Sequence, residues 1–295
     1  MKSYPKLPVK NGLYLHWLKL APGGLVRPLG GQDGMSNLTT TCLGTGDGHP
    51  SGSRAHSAFL YEFPSVTILL DCGEPVTHTL TRRGVHPDAI DHIFLSHLHS
   101  DHLGGFFMLM QGLWLRRRQK PLTVFLPEEG IKPVQQLLCS AYLFPELMPF
   151  KTEYKSWTSG QPCSLGPLTA TPFNTTHLEQ LRESFQPQYP QQAFEAFSFT
   201  LETGNTRAAH SADIGHLNDL DPLVTKPLDL LVCELAHVEP ADLFEYLAGR
   251  NIGQILFTHV AQGHWEDEAG LRQLARDTLG GMPHEFATDG TEVAL

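Results

Sequence analysis

Apolar positions along the chain fall into short runs, and each run closes on a polar residue. Val66 to Leu70 closes on Asp71 and Gly73, and Ile90 to Ser96 is a largely apolar stretch that reads as a buried strand. Leu168 to Thr176 ends at His177, Thr206 to Ala212 ends at Asp213, and Gln254 to Thr258 ends at His259. Pro121 to Pro127 is a further apolar run, and His56 to Phe63 alternates like a strand. Between them, Leu103 to Leu115, Ile131 to Leu143, Pro240 to Gly249 and His264 to Leu279 carry the spacing of helices that bury one face. Strands alternating with such helices predict a layered α/β fold. The last segment, Phe286 to Leu295, reads as a closing hairpin around Asp289-Gly290. Residues 1–36, rich in Pro, Gly and Lys and without clear periodicity, read as an N-terminal extension to one domain over 37–295.

Composition narrows this without redirecting it. With 295 residues, of which 41% are hydrophobic, the chain can bury a large core. Its 21 Lys and Arg against 31 Asp and Glu give a formal net charge of -10, whereas a long polyanionic partner is normally met by a broad basic surface. The one basic run, Arg116-Arg117-Arg118-Gln119-Lys120, falls at the end of the helix beginning near Leu103 and reads as a solvated helix end. Five cysteines without a CxxC pair fit reduced, mostly buried thiols. No stretch is long and apolar enough to span a membrane, and Met1-Lys2-Ser3-Tyr4-Pro5 carries no signal-peptide pattern, so a cytoplasmic protein is expected.

The chemistry concentrates in His97-Leu98-His99-Ser100-Asp101-His102. Side chains two apart on an extended strand end point the same way, so His97 and His99 can face one ion, while Asp101 and His102 sit at the entry to the next helix. Asp101 has a plain alternative, as a helix cap. Three imidazoles and a carboxylate in six residues favour a metal site, and nitrogen and oxygen donors suit zinc first, with iron or manganese also compatible. His177, Asp213 and His259 stand at later strand ends as further donors. His78, His86 and His284 read as solvated side chains. The Gly44 to Gly52 segment resembles a phosphate cradle, but a strand rather than a helix follows it, which favours a loop beside the metal mouth.

The ordered series Asp71, His97-x-His99-x-Asp101-His102, His177, Asp213 and His259 resembles the five motifs of the metallo-β-lactamase superfamily of metal-dependent hydrolases. That resemblance spans residues 37–295 and implies an αββα sandwich of two mixed β-sheets flanked by helices. It implies that His97, His99 and His177 hold one metal, that Asp101, His102 and His259 hold a second, and that Asp213 bridges them. Asp71 would fix a ligand loop by hydrogen bonds. A hydroxide shared by two divalent ions would be the nucleophile, with Asp101 among the catalytic residues. Asp213 stands where β-lactamases of this fold use Cys, and His99 where flavodiiron oxygen reductases carry Glu, so neither activity is expected.

The nearer likeness is to ribonuclease Z and its phosphodiesterase relatives, through Cys42 to Arg54, the cluster leading into Gly104-Gly105, and Pro121 to Pro127. The long tRNA-gripping arm of ribonuclease Z has no room between His177 and Asp213, which are only 36 residues apart. Its His-Glu-Ala-Thr motif is replaced by Cys233-Glu234-Leu235-Ala236-His237, in which Glu234 matches. His237 is either the proton donor or a residue entering the helix at Pro240; His264 and His216 are weaker candidates for the donor. A small-molecule ester or phosphodiester is the expected substrate ahead of structured RNA, with no membrane partner and with room for a homodimer. A lactone or thioester hydrolase of the same fold is the alternative reaction, and a non-catalytic metal-binding regulator the alternative class.

Overall fold

The computed structural model describes residues 37–295. The first sheet is built from β1 (Thr39–Gly44), β2 (Ala58–Phe63), β3 (Val66–Leu70), β4 (His92–Phe94), β5 (Leu122–Leu126) and β6 (Thr152–Ser156). The second takes β7 (Cys163–Leu165), β8 (Leu168–Asn174), β9 (Phe197–Thr203), β10 (Thr206–His210), β11 (Leu228–Leu235), β12 (Ile252–Val260) and β13 (His284–Phe286). The last strand, β14 (Glu292–Ala294), returns to the first sheet, giving the orders β14-β1-β2-β3-β4-β5-β6 and β13-β12-β11-β10-β9-β8-β7. Both sheets are mixed: β3 to β6 and β10 to β13 are parallel, and the remaining pairs are antiparallel.

The central strands read as continuous apolar runs because both their faces are covered. Along β3 and β4, Ile68, Leu70 and Phe94 point between the sheets, where they meet Trp157, Phe197 and Phe199. Leu69 and Ile93 point the other way. There they pack under α1 (Val76–Arg82), α3 (Phe106–Leu115) and α4 (Glu128–Ser140). On β11, Leu230 and Val232 face inward, while Leu231 and Cys233 face the helices Pro240–Leu247 and Glu268–Leu279. Helices outside, two sheets within and three apolar layers make the αββα sandwich. Among the described residues, no helix is long and apolar enough to cross a membrane.

Three expectations are corrected. The helix over Leu103 to Leu115 forms as two pieces, α2 (Ser100–Leu103) and α3, because the chain at Gly105 lies against the 71–73 loop. Gly105 N donates to Cys72 O at 2.7 Å, and a Cβ there would stand 2.8 Å from the carbonyl oxygens of Cys72 and Gly73. Phe286 to Leu295 is not a hairpin: β13 pairs in parallel with β12 and β14 antiparallel with β1, so Asp289-Gly290 crosses from one sheet to the other. Arg118 is not solvated at all. It is fully buried, and its guanidinium donates to the carbonyls of Pro87, Lys120 and Pro121, tying together the loops that enter β4 and β5. Arg116 likewise donates to Val85 O, at 3.1 Å. The extension over residues 1–36 lies outside the described residues.

Candidate metal centre

Parallel packing sends the C-terminal ends of β3, β4, β10, β11 and β12 to one edge of the sandwich, and β8 ends there too. Ligand crevices in α/β sheets form at such edges. Three non-glycine residues take left-handed backbone at this edge: Asp71 (φ 61°), Ala212 (φ 47°) and His259 (φ 48°). Such strain concentrates where surrounding structure dictates a side chain's direction.

Asp71, at the end of β3, organises the six-residue cluster. Its Oδ1 accepts from Ser96 N at 2.8 Å, while Oδ2 accepts from Ser96 Oγ at 2.9 Å and faces His102 Nδ1 at 2.7 Å. Because the Ser96 hydroxyl donates to Asp71, it accepts from His97 Nδ1 at 3.0 Å. Both rings are thereby fixed with Nε2 turned into the cleft. Asp101 makes no capping bond, and His99 occupies the N-cap of α2. Gly73 is required here, since a Cβ on it would stand 2.3 Å from Asp101 O.

His97 Nε2 lies 3.0 Å from His99 Nδ1, which lies 3.1 Å from His177 Nε2. Asp213 Oδ2 is 3.8, 3.5 and 3.5 Å from the Nε2 atoms of His97, His177 and His259, and Asp213 Oδ1 is 3.3 Å from His102 Nε2. Asp101 Oδ2 is 3.3 Å from His102 Nε2 and 3.9 Å from His259 Nε2. The donors form two groups, His97, His99, His177 and Asp213, and Asp101, His102, Asp213 and His259. Asp213 belongs to both.

A divalent metal pair fits these residues. Ligand atoms about a tetrahedral zinc lie roughly 3.3 Å apart, the scale of the separations above. His102 Nε2 and Asp213 Oδ1 are buried and have no hydrogen-bond partner. An unpartnered buried carboxylate oxygen is costly unless a cation faces it. Burial holds His97 well below the ordinary histidine range, lowers His99 and pushes His177 down to about 3, leaving the neutral rings that metals bind. For His102, burial is outweighed by the charges of Asp213 and Asp71, which raise it; burial of Asp213 is in turn outweighed by His102 and His259, which lower it.

The other expected residues separate. His237 joins the centre from the loop after β11: its ring centroid is 4.5 Å from that of His177, and Nδ1 lies 3.1 Å from Glu234 Oε1. Burial draws His237 down, but the bond to Glu234 and the charges of Glu234 and Asp213 lift it to about 9. Buried Glu234 also accepts from the backbone of Ile214, Ala236 and His237, joining the loops after β10 and β11. His216 is used otherwise, heading the turn at Leu217–Leu220, where its backbone N donates to Asp219 Oδ2 at 3.2 Å and its carbonyl accepts from Asp219 N at 3.0 Å. Among the described residues, His264 makes no hydrogen bond or ring contact to the cluster. The Gly44 to Gly52 loop does border the centre, where a Cβ on Gly48 would stand 3.5 Å from Asp101 Oδ2.

Sequence reasoning passed over Asp219 and Asp289, both of which bind the loops carrying candidate ligands. Asp219 had one visible signal, its place three residues after His216 in a capping-box spacing; Asp289 sat in an Asp-Gly pair that reads as an ordinary turn. His210, three residues before Asp213, turns away from the centre and meets Tyr61 Oη at 2.7 Å between the sheets.

The ribonuclease Z of Methanococcus maripaludis (strain C7) is 38% identical over 105 residues, which are 36% of this chain and 34% of that one. The chain thus matches about a third of the length of such relatives. Among solved structures, the metallo-β-lactamase fold protein YhfI from Bacillus subtilis superposes with a TM-score of 0.68 at 20% identity, covering 88% of this chain and 99% of that one. The short form of human tRNase Z gives 0.63 at 16%, covering 86% and 98%. These likenesses show the metallo-β-lactamase fold, and a stretch of 105 residues is similar in sequence to ribonuclease Z. Over residues 38–231 the sequence matches the family described as Anti-Pycsar protein Apyc1, and it is to this family that the chain belongs.

Proposed function

We propose that the protein is a dinuclear metal-dependent hydrolase, with zinc as its ions, that cleaves a small phosphodiester. The observation that carries this reading is Asp213, a buried carboxylate shared by two donor groups with one oxygen left without a hydrogen bond. His97, His99 and His177 would hold one ion, Asp101, His102 and His259 the other, and Asp213 both. Two ions held there would supply Lewis acidity to the ester and an activated water as nucleophile.

The protein's own groups supply orientation and a proton. Ser96 and Asp71 fix the tautomers of His97 and His102, so that bare nitrogens face the ions. Glu234 holds His237 by Nδ1, which leaves Nε2–H free on a side chain 34% exposed, in position to protonate a departing alkoxide. The phosphodiester class is supported by the names ribonuclease Z and tRNase Z among the relatives. A compact substrate is supported by the net charge of -10 and by Arg116 and Arg118, whose guanidinium groups bind backbone carbonyls rather than form a basic face.

The test is an assay of metal-quantified protein against bis-p-nitrophenyl phosphate, a lactone, a thioester and a chromogenic lactam, with Asp213→Ala beside it. Turnover of the phosphodiester, abolished in the folded variant, is expected. Faster turnover of the lactone or thioester, or equal rates in wild type and variant, overturns the reading.

A further inference from the structure

The geometry points to a division of labour between two carboxylates outside the candidate ligand set: we propose that Asp219 builds the half-site of His97, His99 and His177, and that Asp289 builds the half-site of His259. This rests on the metal-holding reading of the centre above.

Asp219 Oδ2 is the meeting point of two loops. It accepts from Thr176 N and Thr176 Oγ1, both at 2.9 Å, and from Gly215 N at 2.9 Å and His216 N at 3.2 Å. A cap on the Leu217–Leu220 turn needs only the bond from His216. The other three donors belong to the residue before His177 and to the residue two beyond Asp213. The loops touch so closely that a Cβ on Gly215 would stand 2.5 Å from Thr176 Oγ1 and 2.6 Å from Thr176 C. Thr175 Oγ1 adds a bond to Asp213 O at 2.8 Å. A mostly buried carboxylate taking four donors therefore sets the separation of His177 and Asp213, both members of the first group. Asp213 has a second anchor, the bond from Ile214 N to Glu234 Oε1 at 3.1 Å. The loop of His177 depends on Asp219 more heavily.

Asp289 acts on the other half from the crossing between the sheets. Its Oδ1 accepts from Thr45 N at 3.0 Å and Thr45 Oγ1 at 2.8 Å, and its Oδ2 from Ala55 N at 2.6 Å. Thr45 O, so fixed, accepts from His259 N at 3.0 Å. That bond holds His259 at a φ of 48°, a conformation that a histidine keeps only where neighbours impose it. Ser57 Oγ, just past the clamped loop, lies 3.4 Å from His259 Nδ1 and leaves Nε2 toward Asp101 and Asp213. Among the described residues, no comparable chain of hydrogen bonds runs from Asp289 to His97, His99 or His177.

The experiment is a stepwise Zn²⁺ titration of metal-stripped full-length protein against a competing chromophoric chelator, with the melting temperature of each stripped variant measured alongside. His177→Ala and His259→Ala identify the two binding steps by abolishing one each. Asp219→Ala is expected to weaken the His177 step by about 10- to 100-fold, with Asp219→Asn intermediate, because one neutral oxygen retains part of the clamp. Asp289→Asn is expected to weaken the His259 step by a similar factor, and each variant to leave the other step nearly as in wild type. If Asp219→Ala does not fold, Asp219→Asn carries the same expectation. Equal weakening of both steps by both variants overturns the proposal, as do lower apo melting temperatures with unchanged dissociation constants. Wild type holding fewer than two ions overturns this and the hydrolase reading together. Two ions split as described, in a protein that turns over no ester, leave it standing while the hydrolase reading fails.

Discussion

The two edges of the sandwich use charged side chains in the same way and to different ends. At the edge where β4 and β5 begin, buried Arg118 donates to three carbonyls, and Asp88 Oδ1 accepts from Gln119 N at 2.8 Å and Lys120 N at 2.9 Å. There the charge closes loops, and each guanidinium nitrogen of Arg118 has a carbonyl partner. At the opposite edge Asp71, Asp219, Glu234 and Asp289 also gather backbone and side-chain donors. The loops they close present imidazole and carboxylate atoms to one another, and among these Asp213 Oδ1 and His102 Nε2, 3.3 Å apart, make no hydrogen bond. Left-handed non-glycine residues stand beside these atoms. Hydrogen-bonded charge closes the structural edge, and a buried carboxylate oxygen without a hydrogen bond stands at the edge whose donors fit an ion.

Substitutions at the two edges should therefore fail differently. The largest effect is expected from Asp213→Ala, which removes the carboxylate proposed to be shared: elemental analysis should find both ions lost and turnover of bis-p-nitrophenyl phosphate gone, with far-UV circular dichroism unchanged. Retention of both ions would break the comparison at its root. His237→Asn should come next, lowering kcat about 10²- to 10⁴-fold on an alkyl phosphodiester while two ions remain bound. The loss should shrink on a p-nitrophenyl ester, whose leaving group needs little protonation; an equal loss on both would remove His237 from the proton-donor role.

At the structural edge the readout is stability. Arg118→Met removes the donors from three carbonyls and should cost about 2–4 kcal/mol in urea unfolding, with metal content unaltered. Loss of an ion in that variant would contradict the separation of the edges. The smallest effect is expected from Asp88→Asn, under about 1 kcal/mol near neutral pH. Although partial burial opposes it, the bonds from Lys120 and Gln119 backbone hold Asp88 below the ordinary carboxylate range. A depressed folded value gives stability that is present above the unfolded pKa and lost as pH falls through the folded one. Unfolding curves of wild type and variant should accordingly converge in acid; a gap that widens there would contradict the assignment.

How much of this the sequence disclosed follows from how locally each feature is encoded. His97 to His102 is one continuous segment, so its density of donors is visible without any fold. His177, Asp213 and His259 each stand alone at a strand end, and only the order of motifs shared with a superfamily brings them together. The central strands were readable because both faces are apolar. Arg118 was misread because a run of three arginines at a helix end usually meets water, whereas here the backbone turns at Arg117 (φ 58°) and carries the next side chain inward. The supposed hairpin failed because two residues of turn signal cannot reveal which sheet each flanking strand joins. Asp219 and Asp289 escaped notice since their partners are backbone atoms of loops distant in sequence.

The most direct test is anomalous diffraction from crystals of the zinc-loaded protein. The account predicts two peaks, one ringed by His97, His99, His177 and Asp213, the other by Asp101, His102, Asp213 and His259, with the Asp213 carboxylate between them. A single peak, or zinc bound away from Asp213, would contradict it.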